Sequence, residues 1–185
     1  AHLAAHLPED FGLFRSAAAE QGEEAAAGLD LGQFLHGQSN PTFTLPSLAD
    51  PSRAFVLRKQ PPGDLLKGAH AVDREHTVMA ALGDIPGGRG PPVPKVRHFC
   101  EDPSVLGTPF LMYDFVPGRF YADPSLRDEE GLSAADRRNM YDALADAMAG
   151  VHAVKDPAGL SPGMANFGKS EDYVARQLRT WTRQF

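Results

Sequence analysis

Phe55-Val-Leu-Arg-Lys-Gln-Pro-Pro-Gly63, followed by His70-Ala-Val-Asp-Arg-Glu-His-Thr-Val-Met-Ala-Ala-Leu82, is the stretch that decides the fold. Residues 55–57 form a short apolar β run ending in two cations, Arg58 and Lys59. The Pro/Gly cluster at 61–63 breaks it. From 70 to 82 the apolar residues Ala71, Val72, Val78, Met79 and Leu82 recur at helical spacing. Glu75 lies three or four residues from Ala71, Val72, Val78 and Met79, which places its carboxylate on the inward face of that helix. A carboxylate there needs a cation or strong donors. Arg58 and Lys59 are the nearest cations in sequence. A strand cation paired with a helix glutamate is a device for holding nucleotide phosphates. The alternative is a solvated strand end, with Glu75 at the margin of the apolar stripe.

Outward from this stretch, Leu29–Leu35 and Thr42–Leu45 read as two earlier strands around a His36–Asn40 turn. The turn holds Gly37, Gln38, Ser39 and Asn40, residues able to bring backbone N–H groups to an anion, although the same residues build ordinary hairpins. The strand at 54–59 completes a meander. Lys95–Cys100 and the nearly continuous apolar run Pro109–Phe115 supply strands four and five, on either side of a turn at 102–107. Beyond Pro117-Gly118 the pattern is helical. Ser133 and Asp136 stand in capping-box positions ahead of a helix ending near His152, whose stripe is Met140, Leu144, Met148 and Val151. A last helix opens at Ser170, with Val174, Leu178, Trp181 and Phe185 on one stripe. Arg176, Arg179 and Arg183 form a second stripe, read as solvated or partner-facing.

Five strands with one helix after the third, then helices only, is an α+β arrangement with a sheet lobe and a helical lobe. The expected division is a peripheral helix and linker at 1–28, the sheet lobe at 29–116, and the first part of the helical lobe at 117–185. A net charge of −6 argues against a general nucleic-acid or anionic-membrane binder. No apolar run reaches the ~20 residues of a membrane span. The single cysteine, Cys100, rules out an internal disulfide and reads as a core residue. With no secretory signal in view, a reducing intracellular compartment is expected. The chain starts without Met and stops within a helical pattern, so it is expected to be a segment of a longer protein.

Several stretches together resemble the aminoglycoside-phosphotransferase-like, protein-kinase-like family. Within it they resemble the kinase-like domain at the N-terminus of acyl-CoA dehydrogenase family members ten and eleven. They are Gly37-Gln-Ser-Asn-Pro-Thr-Phe43, Phe55–Lys59 with Pro61-Pro62-Gly63, Ala69-His-Ala-Val-Asp-Arg-Glu75, Pro92-Val-Pro-Lys-Val96, Cys100-Glu-Asp-Pro-Ser-Val-Leu-Gly-Thr108, Pro117-Gly-Arg119, and Arg176-Gln177 with Trp181 and Gln184. They run from about residue 30 to the end.

The resemblance implies a role for each matching position. Gly37, Gln38, Ser39 and Asn40 would cover the phosphates of ATP. Arg58 would contact them where many members carry Lys, offering a planar fork in place of a point charge. Glu75 would orient Arg58. Met112 would stand at the back of the adenine pocket, with the Tyr113 carbonyl and the Phe115 N–H bonding the base. The implied cofactors are ATP and Mg2+. The family's catalytic loop, His-x-Asp with an Asn five residues on, occurs nowhere in these 185 residues, and the tripeptide Asp10-Phe-Gly12 stands ahead of the sheet rather than after such a loop, so the magnesium ligands and the base are expected outside this segment. By the same resemblance, the 83–92 loop would be longer than in relatives.

The implied function is part of an ATP-dependent small-molecule phosphotransferase with a hydroxyl acceptor. The dehydrogenase connection suggests a hydroxyacyl-CoA or hydroxy acid, a fused acyl-CoA dehydrogenase, and a mitochondrial or peroxisomal location. An additional domain or partner would cover the open helical face. The alternative is a non-catalytic kinase-like binding or assembly module.

Overall fold

A computed structural model describes residues 32–34, 39–47, 50, 52–63, 65, 70–88, 90–127, 129–165, 167–168 and 171–184. The expected helix at 1–28, together with Gly37, Gln38, Ser170 and Phe185, lies outside them. The strands are β1 (Gly32–Gln33), β2 (Thr42–Pro46), β3 (Ala54–Lys59), β4 (Val96–Cys100) and β5 (Phe110–Asp114). They form one antiparallel sheet in the order β1-β2-β3-β5-β4. The helices are α1 (Val72–Gly83), α2 (Pro103–Leu106), α3 (Ala134–His152) and α4 (Tyr173–Gln184).

Register sorts the side chains by face. Thr42 pairs with Arg58, Arg58 with Leu111, and Val56 with Tyr113. Side chains alternate along each strand, so Thr42, Val56, Arg58, Leu111 and Tyr113 share one face. The opposite face carries the core cluster of Leu45, Phe55, Leu57, Cys100, Phe110 and Met112, joined by Phe43 and by Val105 from α2. Helix α1 covers the Arg58 face. Its Val72 and Ala81 are buried, and His76 stacks on Phe99 of β4 at 4.6 Å. Burial of His76 holds its pKa below the ordinary histidine value, with Glu101 pulling the other way.

The segment expected as a turn at 102–107 contains a one-turn helix, α2. The Asp102 carboxylate accepts the Ser104 N–H at 2.8 Å, Pro103 opens the turn, and Gly107 closes it at φ 81°. The start and stop signals stand so close together that they read as a turn. Of the first strand expected at 29–35, residues 32–34 are described, and Gly32–Gln33 pair with β2; the rest lies outside the described residues. Helix α1 begins at Val72, after His70 takes a left-handed backbone at φ 58°.

The capping box of α3 is present. Asp136 N–H donates to Ser133 Oγ at 3.1 Å, and Ser133 N–H donates to Asp136 Oδ2 at 2.9 Å. The Ser133 hydroxyl also donates to Asp136 Oδ2 at 2.6 Å, and this bond, with the one from the Ser133 N–H, holds the Asp136 carboxyl below the usual carboxylate value. Arg137 Nε donates to the Leu126 carbonyl at 2.6 Å, and the Tyr141 hydroxyl to that of Pro124, which pins the 115–132 connector on the helix. No residue of α3 is buried, and Tyr141, Leu144, Met148 and Val151 stand exposed. On α4, Val174, Leu178 and Trp181 are exposed, and Arg176 is half-buried over the Tyr173 ring while Arg179 and Arg183 face outward. Contacts from Arg74 and Thr77 help tie α1 to the helical part. Arg74 lies 4.1 Å over the Phe167 ring, and Gly163 comes so near Thr77 that a Cβ would sit 3.0 Å from its methyl. Among the described residues no helix is long and apolar enough to cross a membrane.

Candidate phosphate-holding site

Strand β3 ends with two adjacent cations, and alternation sends them to opposite faces. Arg58 is the one on the α1 side, and its Nε donates to Glu75 Oε2 at 2.7 Å. Lys59 turns away and donates to the Leu106 carbonyl at 2.7 Å, satisfying the end of α2. Of the two candidate partners for Glu75, the fold therefore selects Arg58. The pair is partly screened, with side-chain exposures of 28% and 35%.

The surroundings of the pair are hydrogen-bonded throughout. Arg58 Nη1 donates to Thr42 Oγ1 at 3.0 Å, and that hydroxyl donates to the Asn40 carbonyl at 2.9 Å. Asn40 Nδ2 donates to Glu75 Oε1 at 3.3 Å, and Asn40 Oδ1 lies 2.9 Å from His70 Nδ1. Arg58 has five N–H groups, and these bonds use two of them. Among the described residues the others make no hydrogen bond, so the guanidinium keeps donors for an anion.

Arg58 opens onto a cleft of about 320 Å³ whose lining includes Phe34, Thr42, Val56, Pro94, Tyr113 and Phe115. Tyr113 presents its ring here. Burial pushes the phenol above its ordinary pKa, Arg58 opposes the shift and Glu75 adds to it. Phe34 and Phe115 stack at a centroid distance of 6.4 Å. Behind the cleft, Arg97 grips both oxygens of Asp114 at 2.6 and 2.7 Å, which stiffens the end of β5.

The structure brings Asn40, Arg58, Glu75 and Tyr113 together, and Ser39 precedes Asn40 at the surface. It sets Met112 apart. The Met112 side chain is fully buried in the core cluster on the other face, and Tyr113 holds the cleft position expected of it. The apolar run Phe110–Phe115 does not reveal its alternation, and so hid this. The Phe115 N–H donates to the Ala54 carbonyl at 3.0 Å. Tyr113, opposite Val56, lies two residues along the same ladder, so its N–H and C=O also turn toward β3. The backbone groups expected at adenine thus belong to the sheet. Asn40 was expected in a phosphate-covering turn, but its side chain is buried against Glu75. His70 and Thr42 are members of the network that no local sequence signal marked; Asn40 and Glu75 are 35 residues apart. Among the described residues no three His, Cys, Asp or Glu side chains gather as a metal site would.

A five-stranded antiparallel sheet, one covering helix that pairs its glutamate with a strand cation, and helices beyond define a kinase-like phosphotransferase fold. Residues 30–184 match the phosphotransferase enzyme family, and the chain belongs to it. It is 43% identical over 164 residues to acyl-CoA dehydrogenase family member 10 of Mus musculus, covering 89% of this chain and 14% of that protein. It is 39% identical over 164 residues to acyl-CoA dehydrogenase family member 11 of Homo sapiens, covering 89% of this chain and 19% of that one. A crystal structure assigned as an aminoglycoside phosphotransferase from Ralstonia eutropha superposes with a TM-score of 0.62 at 34% identity, covering 95% of this chain and 46% of that one. The chain therefore spans under a fifth of the length of these curated relatives and about half of the solved one.

Proposed function

We propose that this chain supplies the nucleotide-holding part of an ATP-dependent phosphotransferase acting on a small hydroxylated substrate. The observation that carries the reading is the Arg58–Glu75 pair at 2.7 Å, whose Arg58 lines the cleft. Residues 29–116 would hold the nucleotide, and 117–185 would begin the helical lobe. The base would lie in the apolar slot between Val56, Pro94, Tyr113 and Phe115, and the phosphates would meet the unclaimed donors of Arg58. The Phe115 N–H would reach the base only after its bond to Ala54 opens. Mg2+ would neutralise phosphate charge, with ligands from residues outside those described. The dehydrogenase relatives support a hydroxyacyl-CoA or hydroxy acid as acceptor, and a mitochondrial or peroxisomal location.

The test is calorimetric titration of the full-length protein with Mg-ATP. A charge-assisted contact of ~1.5–3 kcal/mol predicts that Arg58→Ala weakens binding about 10- to 100-fold. Affinity equal to wild type would refute the assignment. The competing reading, a non-catalytic assembly module, is favoured by the exposed apolar stripe of α3. It predicts no phosphate transfer to any hydroxylated acceptor and no response to Mg-ATP.

A further inference from the structure

We propose that Asn40 and His70 are positioning residues for the Arg58–Glu75 pair, a role that rests on the nucleotide reading above. Asn40 is 3% exposed, and its amide meets Glu75 on one side and His70 on the other. A carboxylate only accepts, so the Asn40 NH2 must face Glu75 and its carbonyl oxygen must face His70. That arrangement requires the proton on His70 Nδ1. The chain of donors runs one way, from His70 to Asn40 to Glu75, and fixes Oε1 of the carboxylate. Arg58 then takes Oε2 at 2.7 Å.

The backbone of Asn40 holds the other partner. Its carbonyl accepts from the Thr42 hydroxyl at 2.9 Å, which leaves the Thr42 oxygen to accept from Arg58 Nη1 at 3.0 Å. One residue thus contacts Glu75 directly and Arg58 through one hydroxyl. His70 reaches Asn40 from a left-handed backbone, φ 58°, that a non-glycine residue seldom adopts. It sits two residues before α1, where it ties the start of the helix to Asn40, just ahead of β2. Without this brace Glu75, more than a third exposed at its side chain, would be free to leave Arg58 for water.

The experiment is a double-substitution cycle in Mg-ATP affinity on the full-length protein, using Asn40→Ala, Glu75→Ala and the two combined, with Arg58→Ala alongside. Asn40→Ala is expected to weaken binding roughly tenfold, and to add less than about twofold once Glu75 is already Ala. Where Arg58→Ala weakens binding, wild-type affinity in Asn40→Ala, or two effects that multiply, would overturn the inference. A merely structural Asn40 would give multiplying effects. If Asn40→Ala does not fold, His70→Ala replaces it in the same cycle, with a smaller loss expected and wild-type affinity overturning the proposal. If Arg58→Ala binds Mg-ATP like wild type, the nucleotide reading fails by itself. The brace is then decided by a crystal structure of Asn40→Ala. Glu75 displaced from Arg58 Nε supports it, and Glu75 unmoved overturns it.

Discussion

Replacing Glu75 by Ala should destabilise the sheet lobe by an amount that can be assembled from its partners. The ion pair with Arg58 is 28% and 35% exposed at its side chains, so screening holds its contribution to about 1 kcal/mol. The Asn40 amide, in a residue 3% exposed, loses its acceptor and stays largely out of water, which costs about 1–2 kcal/mol more. The sum, about 2–3 kcal/mol, lowers Tm by roughly 4–12 °C for a domain of this size. Glu75→Gln should fall between. Its one amide oxygen can serve Arg58 or Asn40 but not both, and its NH2 then faces the other donor. Thermal unfolding followed by circular dichroism measures all three proteins. A Glu75→Ala melting temperature equal to wild type would refute the argument, because it would mean that Asn40 and Arg58 find equal partners elsewhere.

Three further outcomes follow from other positions. Tyr113, one of four tyrosines, should ionise above the ordinary value of 10.0, so a spectrophotometric titration should show one late tyrosine that disappears in Tyr113→Phe. Since its folded pKa is raised, the stability it contributes is present below pH 10 and is lost as pH rises through the folded value. His76 has the opposite sense for a base. Its folded pKa lies below 6.5, so stability starts to fall as pH drops under 6.5, and the slope of urea midpoint against pH should flatten in His76→Gln. Gly107→Ala keeps open space around the new methyl but forces φ 81° on a residue with a Cβ, so it should cost about 1–2 kcal/mol, visible as a lowered urea midpoint.

The sheet lobe was largely legible in the sequence because its signals are local. Strand ends carry Pro or Gly, α1 has a clean apolar period, and Glu75 could be placed on the inward face by counting. Ser133 and Asp136 announced the start of α3 for the same reason. What stayed hidden depended on facing and on distance. Arg58 and Lys59 are neighbours in sequence, and only the side on which α1 packs tells which one meets Glu75. Met112 and Tyr113 are likewise neighbours, in a run too apolar to show its alternation. The Asn40–Glu75 bond joins residues 35 apart, and nothing near either one signals the other.

The way Arg58 divides its donors between Glu75 and Thr42 has a consequence for how this site can change across related sequences. A lysine at 58 has one ammonium where the guanidinium has three nitrogens, so it cannot reproduce the separate Nε and Nη1 contacts in the same geometry. The Thr42 hydroxyl, left without that donor, would lose half of its reason to be there. Positions 42 and 58 should therefore vary together, with arginine accompanying a hydroxyl at 42 and lysine tolerating an apolar residue in its place.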